Sequence, residues 1–197
     1  RLSALGFNLV RLHHHDSPWV NPNIFSDRDL THDTQQLSAE SLKKIDWWIK
    51  CLKDEGIYVW LDMHVERALM ARDNIFGFDE LPKDQQNNAS LKGFAYVNIT
   101  IQQAMKRFAE AYVTHVNPFT GLAYKDDPAI AAVLITNEND VTQHFGNALL
   151  RDKGVPRHWD LYKRRADAFA SQHNLSAGLT WRSWEHGPAK LFLNDLE

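Results

Sequence analysis

The sequence predicts an α/β fold, a partial (β/α)8 TIM barrel, on three observations. Short, near-continuous apolar runs alternate with segments of helical periodicity; each run ends in a cluster of polar and titratable residues; and no glycine-rich phosphate loop follows any of them. Strand–helix–strand order requires right-handed parallel crossovers, in an open doubly wound sheet or a barrel. The missing phosphate loop disfavours the dinucleotide-binding version. Polar residues gathered at strand carboxyl ends sit where barrel enzymes keep their chemistry.

The first strand is read from Gly6-Phe7-Asn8-Leu9-Val10-Arg11-Leu12, stopped by His13-His14-His15-Asp16-Ser17-Pro18. A helix follows over Glu40 to Asp54, with Leu42, Ile45, Trp48, Ile49 and Leu52 on one face and Gly56 as its stop. The second strand, Ile57-Tyr58-Val59-Trp60-Leu61-Asp62-Met63, ends on His64. From about Val65 to Asn98 the chain reads as a long mixed loop, of a length that is usually functional or mobile. A second helix runs from about Thr100 to Val116 through Ile101, Met105, Phe108 and Tyr112, and Asn117-Pro118-Phe119-Thr120-Gly121 breaks it. The third strand, Ile130 to Ile135, leads into Thr136-Asn137-Glu138-Asn139-Asp140. A third helix opens on Pro156 at its first position, with Trp159, Tyr162, Ala166 and Phe169 inward, and a fourth begins at Pro188 and is still running at Glu197. Near-continuous apolar strands suit a parallel sheet buried on both faces.

A complete barrel takes about 250 residues and eight strands, whereas this chain has 197 residues and three legible strands of that kind. The expectation is a single partial catalytic domain over residues 1–197, truncated at both ends. It would hold parallel strands two to four of the barrel with their helices, and a long insertion after the fourth strand.

Composition narrows the function by exclusion. Hydrophobic residues make up 44% and charged residues 24%, enough apolar surface for a core. The 22 Lys+Arg against 25 Asp+Glu leave a net charge of −3 with no basic block, which argues against nucleic acid or a membrane surface as partner. Lys163-Arg164-Arg165 reads as a solvated helix face. No apolar run approaches the ~18 residues of a membrane span, and Arg1-Leu2-Ser3-Ala4 does not read as a signal peptide. The one cysteine, Cys51, excludes an internal disulfide framework and leaves the compartment open.

Strand parity assigns the faces. Val10, Leu12, Val59, Leu61 and Met63 belong on the helix side, so Arg11 and His13 from the first strand and Trp60, Asp62 and His64 from the second point inward. A buried arginine needs a carboxylate partner. The third strand delivers Asn137 and Glu138, an amide that can hold a substrate hydroxyl beside an acid. A carboxyl near a low-dielectric mouth has its pKa raised, which suits a general acid at neutral pH.

Gly6-Phe7-Asn8-Leu9-Val10-Arg11-Leu12-His13, Trp60-Leu61-Asp62-Met63-His64 and Thr136-Asn137-Glu138 resemble successive strand ends of the clan A glycoside hydrolases, and among them the cellulase-like (family five) barrels. The run His115 to Gly121 through Asp126-Asp127-Pro128-Ala129-Ile130 is similar to the stretch before the fourth strand in some members. The resemblance covers most of residues 6–140. It implies a retaining glycoside hydrolase acting on a β-linked poly- or oligosaccharide without a cofactor or catalytic metal. Carried over, Glu138 looks like the general acid/base and Asn137 like the residue binding the sugar 2-hydroxyl. Arg11 looks like the arginine supporting the nucleophile, and His64 like the histidine lining the subsite. The nucleophile, a glutamate on the seventh strand of such barrels, would lie outside this chain.

His13 also lies on the inward face, and Trp19, just beyond the histidines, is the best-placed ring for stacking on a sugar. Trp47 and Trp48 are expected to pack on their helix, and Trp181 and Trp184 to line or pack a cleft in the insertion. Two rivals remain. One is a metal-dependent amidohydrolase-like barrel using His13 and His15 as a His-x-His strand end. The other is a non-catalytic carbohydrate-binding barrel.

Overall fold

The computed structural model describes residues 1–25, 33–83, 89–139, 154–176 and 186–196. The elements are β1 (Leu9–Leu12), α1 (Ala39–Asp54), β2 (Tyr58–His64), β3 (Ala68–Leu69), β4 (Ala89–Ser90), α2 (Ile99–Val113), β5 (Ile130–Thr136), α3 (Pro156–Gln172) and α4 (His186–Leu196), with short 3-10 turns between. It is a mixed α/β protein with a 3-stranded sheet in the order β1-β2-β5. Both pairings are parallel, with Arg11 opposite Trp60 and Asp62 opposite Leu134. A second, 2-stranded sheet joins β3 to β4 antiparallel inside the segment read from sequence as loop.

The chain divides into two compact units. The first comprises Arg1–Asn74, Lys83–Ser90 and Gln103–Glu138; the second comprises Ile75–Pro82, Leu91–Gln102 and Asn139–Glu197. The sheet and α1 belong to the first unit. Its core is built from the helix-side residues that strand parity picks out: Leu12, Val59, Leu61 and Met63 pack with Ile49 of α1, Phe108 and Tyr112 of α2, and Tyr124. Full removal of such side chains from water stabilises by roughly 1.5–3 kcal/mol each. Ser38 caps α1 by accepting the Ser41 N–H at 3.3 Å, and Gly56 leaves the helix with φ +69, a backbone angle that favours glycine.

One face of α1 departs from its apolar pattern. Asp46 is 2% exposed and anchors the loop before β5, accepting from the Tyr124 hydroxyl at 2.7 Å and facing His115 Nε2 at 2.9 Å. Trp47 and Trp48, expected to pack, are instead 54% and 61% exposed. The strands are also not all buried on both faces. β5 is an outer strand of its sheet, and Val133 and Ile135, on the face shared with Leu61, are exposed.

The second unit is organised by α3, which starts on Pro156 and buries Tyr162, Ala166 and Phe169 at helical spacing. Tyr162 and Phe169 meet Phe192 of α4 at ring distances of 5.8 and 5.2 Å. His158 is fully buried, with Nδ1 on Glu80 Oε2 and Nε2 on Asn98 Nδ2, each at 2.8 Å. Arg165 of the basic triplet is no idle surface charge, since it donates to the Tyr96 carbonyl at 2.9 Å. Among the described residues, no helix is long and apolar enough to cross a membrane.

Candidate functional site

Parallel pairing puts the carboxyl ends of β1, β2 and β5 at one edge of the sheet, and alternation aims Arg11, His13 and Asp62 to the side opposite the hydrophobic core. They converge there. Asp62 is 0% exposed, and its Oδ2 accepts from Arg11 Nε at 2.8 Å while also pairing with His13 Nδ1. Arg11 then donates Nη2 to Asn137 Oδ1 at 2.9 Å, and its guanidinium lies 5.4 Å from the Trp60 ring centroid. One arginine therefore ties three strand ends together, with a planar fork that lysine could not supply. The other Asp62 oxygen, Oδ1, is buried with no hydrogen-bond partner among the described residues.

Asn137 continues the β2–β5 ladder by donating its N–H to the His64 carbonyl at 2.8 Å, and Glu138 follows immediately. Glu138 takes φ +48, and His14, just past β1, takes φ +63. Left-handed backbone at a non-glycine residue costs roughly 1–3 kcal/mol and tends to occur at functional sites. Two of them here flank the Arg11 cluster in sequence. The Glu138 side chain is exposed, not enclosed in a low-dielectric mouth as the sequence reading expects.

The turn after β1 is locked to the turn after β2. Asp16, fully buried, accepts the main-chain N–H groups of Val65 at 2.9 Å and Glu66 at 3.2 Å. Burial pushes its carboxyl up to about 6, against the pull of those hydrogen bonds. In the other direction, Trp19, 65% exposed, donates its indole N–H to Glu66 Oε2 at 3.2 Å. The His14 ring stands 4.8 Å from Trp19, and its Nδ1 lies 2.8 Å from Ser17 Oγ.

His64 departs from the expected arrangement. It is 3% exposed, and its ring lies 4.9 Å from Phe108 of α2, a member of the core. Burial, with Arg67 nearby, lowers its pKa to about 3. His15 likewise turns toward α2, 5.2 Å from the Tyr112 ring, and burial lowers it to about 4. Among the described residues no three or more His, Cys, Asp or Glu side chains are grouped so that they could hold a metal ion.

An open, largely apolar pocket of about 830 Å³ lies in the first unit, with His13, His15, Ile24, Trp47, Trp48 and Phe119 in its lining. Of the tryptophans read from sequence, Trp181 and Trp184 lie outside the described residues. Asp16 and Glu66 escaped the sequence reading, although each stands just beyond a strand end and has the acceptor chemistry that binds turns and donors.

No protein-family model matches the chain, and no curated protein matches it at a significant level.

Proposed function

We propose that this chain is part of a (β/α)8 barrel of a retaining glycoside hydrolase that cleaves a β-linked oligo- or polysaccharide, with Glu138 as general acid/base. The observation that carries the reading is the Arg11 fork, which gathers Asp62, His13 and Asn137 at the carboxyl ends of three parallel strands, one residue from Glu138. The left-handed backbone at His14 and Glu138 supports it further.

In this reading, each residue's role follows from its bonding. Asn137 commits its carboxamide oxygen to Arg11, which leaves its two Nδ2 donors for the oxygen of a sugar 2-hydroxyl. Asp62 and Arg11 hold that amide and the positive field of the guanidinium in place, with His13 on the same carboxylate. Glu138 protonates the glycosidic oxygen as the bond to the anomeric carbon breaks. A glutamate from a later strand, outside this chain, attacks that carbon from the opposite face. Glu138 then takes a proton from water, whose oxygen displaces the glutamate and restores the original anomeric configuration. Retention needs the two carboxyls about 5–5.5 Å apart.

Incubating the complete enzyme with β-linked oligosaccharides and following the first product by proton NMR tests the reading. A β-configured hemiacetal that later mutarotates supports it. An α-configured first product, or no cleavage of any β-linked substrate, refutes it.

A further inference from the structure

Trp19 and Glu66 lie on the loops that leave β1 and β2, and they are joined edge to tip: the indole N–H donates to one carboxylate oxygen at 3.2 Å. Indole has that single donor and no acceptor, so the bond uses all of its polar capacity. A carboxylate has room for about four hydrogen bonds, so Glu66 keeps acceptor sites to spare. Both side chains are exposed, yet both are held from behind. Buried Asp16 fixes the Glu66 main chain, and the His14 ring, tied to Ser17, stands beside the indole.

We propose that Trp19 and Glu66 form one saccharide subsite, selective for a neutral pyranoside that places an equatorial hydroxyl beside the ring face stacked on the indole; this rests on the glycosidase reading above. A pyranose whose substituents are equatorial presents a flat C–H face to an aromatic ring, and its hydroxyls project from the perimeter in the ring plane. A hydroxyl at the Nε1 edge of Trp19 therefore meets the free lone pairs of Glu66. It donates a charge-assisted hydrogen bond there, stronger than a neutral one. The same carboxylate repels an acidic sugar, so Glu66 selects against uronides as well as for hydroxyls. Glu66 also pins the indole edge, which makes it a positioning residue for Trp19.

The test is a titration of the complete protein with β-1,4-linked tetramers of glucose, xylose and mannose, and with the β-1,4-glucuronate tetramer as the acidic counterpart of the first. The readout is the Trp19 indole N–H resonance, identified as the one lost in Trp19→Phe. The parent should bind at least one neutral tetramer with a shift of that resonance and should exclude the glucuronate. Glu66→Ala should weaken neutral binding by about tenfold or more. Glu66→Gln, which keeps the shape and an acceptor oxygen, should retain part of the neutral affinity and admit the glucuronate. A merely structural role for Glu66 would not change that neutral-to-acidic ratio. If a neutral tetramer binds but Glu66→Ala, Glu66→Gln and Trp19→Ala bind as the parent does, the subsite is refuted and the glycosidase reading stands. If no tetramer binds the parent, both fall.

Discussion

Arg11 and Asp62 meet across β1 and β2 at 2.8 Å, with the carboxylate fully buried and the guanidinium side chain 38% exposed. That asymmetry sets what each contributes. The carboxylate depends on the arginine for compensation of its lost hydration, whereas the arginine retains contact with water.

Arg11→Ala should therefore destabilise the protein, because among the described residues it leaves the buried carboxylate with His13 as its side-chain partner and no guanidinium. Breaking a buried pair from one side costs about 3–5 kcal/mol, and the partial exposure of Arg11 argues for the lower end. Urea unfolding measures it. Asp62→Leu should cost less than Arg11→Ala, and the double variant should fall well short of the sum of the two. Additive losses would show that the pair is not coupled.

Acid should weaken the protein below about pH 6.5, and the sign follows from the buried histidines. His15 and His64 have pKa values lowered to about 4 and about 3 by burial, against 6.5 unfolded. Between those values the unfolded chain binds protons that the native state refuses, so their stabilisation is complete above pH 6.5 and is lost as pH falls. Asp16 opposes this. Raised from 3.8 to about 6, it keeps a proton in the native state that the unfolded chain releases, so its contribution grows as pH drops through that window. Two histidines outweigh one aspartate. His64→Gln should flatten the slope of stability against pH by up to about 1.4 kcal/mol per pH unit, read by denaturant unfolding at several pH values.

Gly77→Ala should destabilise the second unit by about 2–4 kcal/mol. Gly77 sits at φ +65, and an added Cβ would lie 2.7 Å from His158 Cε1. The imidazole cannot easily yield, since Glu80 and Asn98 hold its two nitrogens. Asn98 is itself fixed, accepting from Thr100 N–H at 3.0 Å and donating to the Phe76 carbonyl at 2.9 Å. Asn98 is fully buried, which makes the glycosylation sequon Asn98-Ile99-Thr100 a poor acceptor, so mass spectrometry of protein from a glycosylating host should find Asn98 unmodified.

Alternation along β1 and β2 was enough to predict that Arg11 and His13 would share a face with Asp62, because period-two patterning is unambiguous where one face is aliphatic. It did not foresee that the His64 ring would be buried beside Phe108 of α2, 44 residues on. Helical periodicity placed α3 well and put Leu42, Ile45, Ile49 and Leu52 of α1 on the core side, but it misplaced Trp48. A face-by-face count cannot foresee that buried Asp46 would be satisfied by Tyr124 and His115, contacts 78 and 69 residues away. Nor does any local pattern announce that Asp16 would clamp the N–H groups of Val65 and Glu66, 49 and 50 residues on. Tertiary partners decide such positions, and they are invisible until the chain is folded.

The most direct test of the account is the turnover of an activated aryl β-glycoside by Glu138→Ala in the complete enzyme, with and without azide. The account predicts loss of activity on unactivated oligosaccharide by about 10²-fold or more. It also predicts accumulation of a glycosyl-enzyme from the aryl glycoside, and recovery of turnover with azide as a β-glycosyl azide forms. Undiminished hydrolysis of unactivated oligosaccharide by the variant, or lost activity that azide does not restore, would contradict the assignment of Glu138.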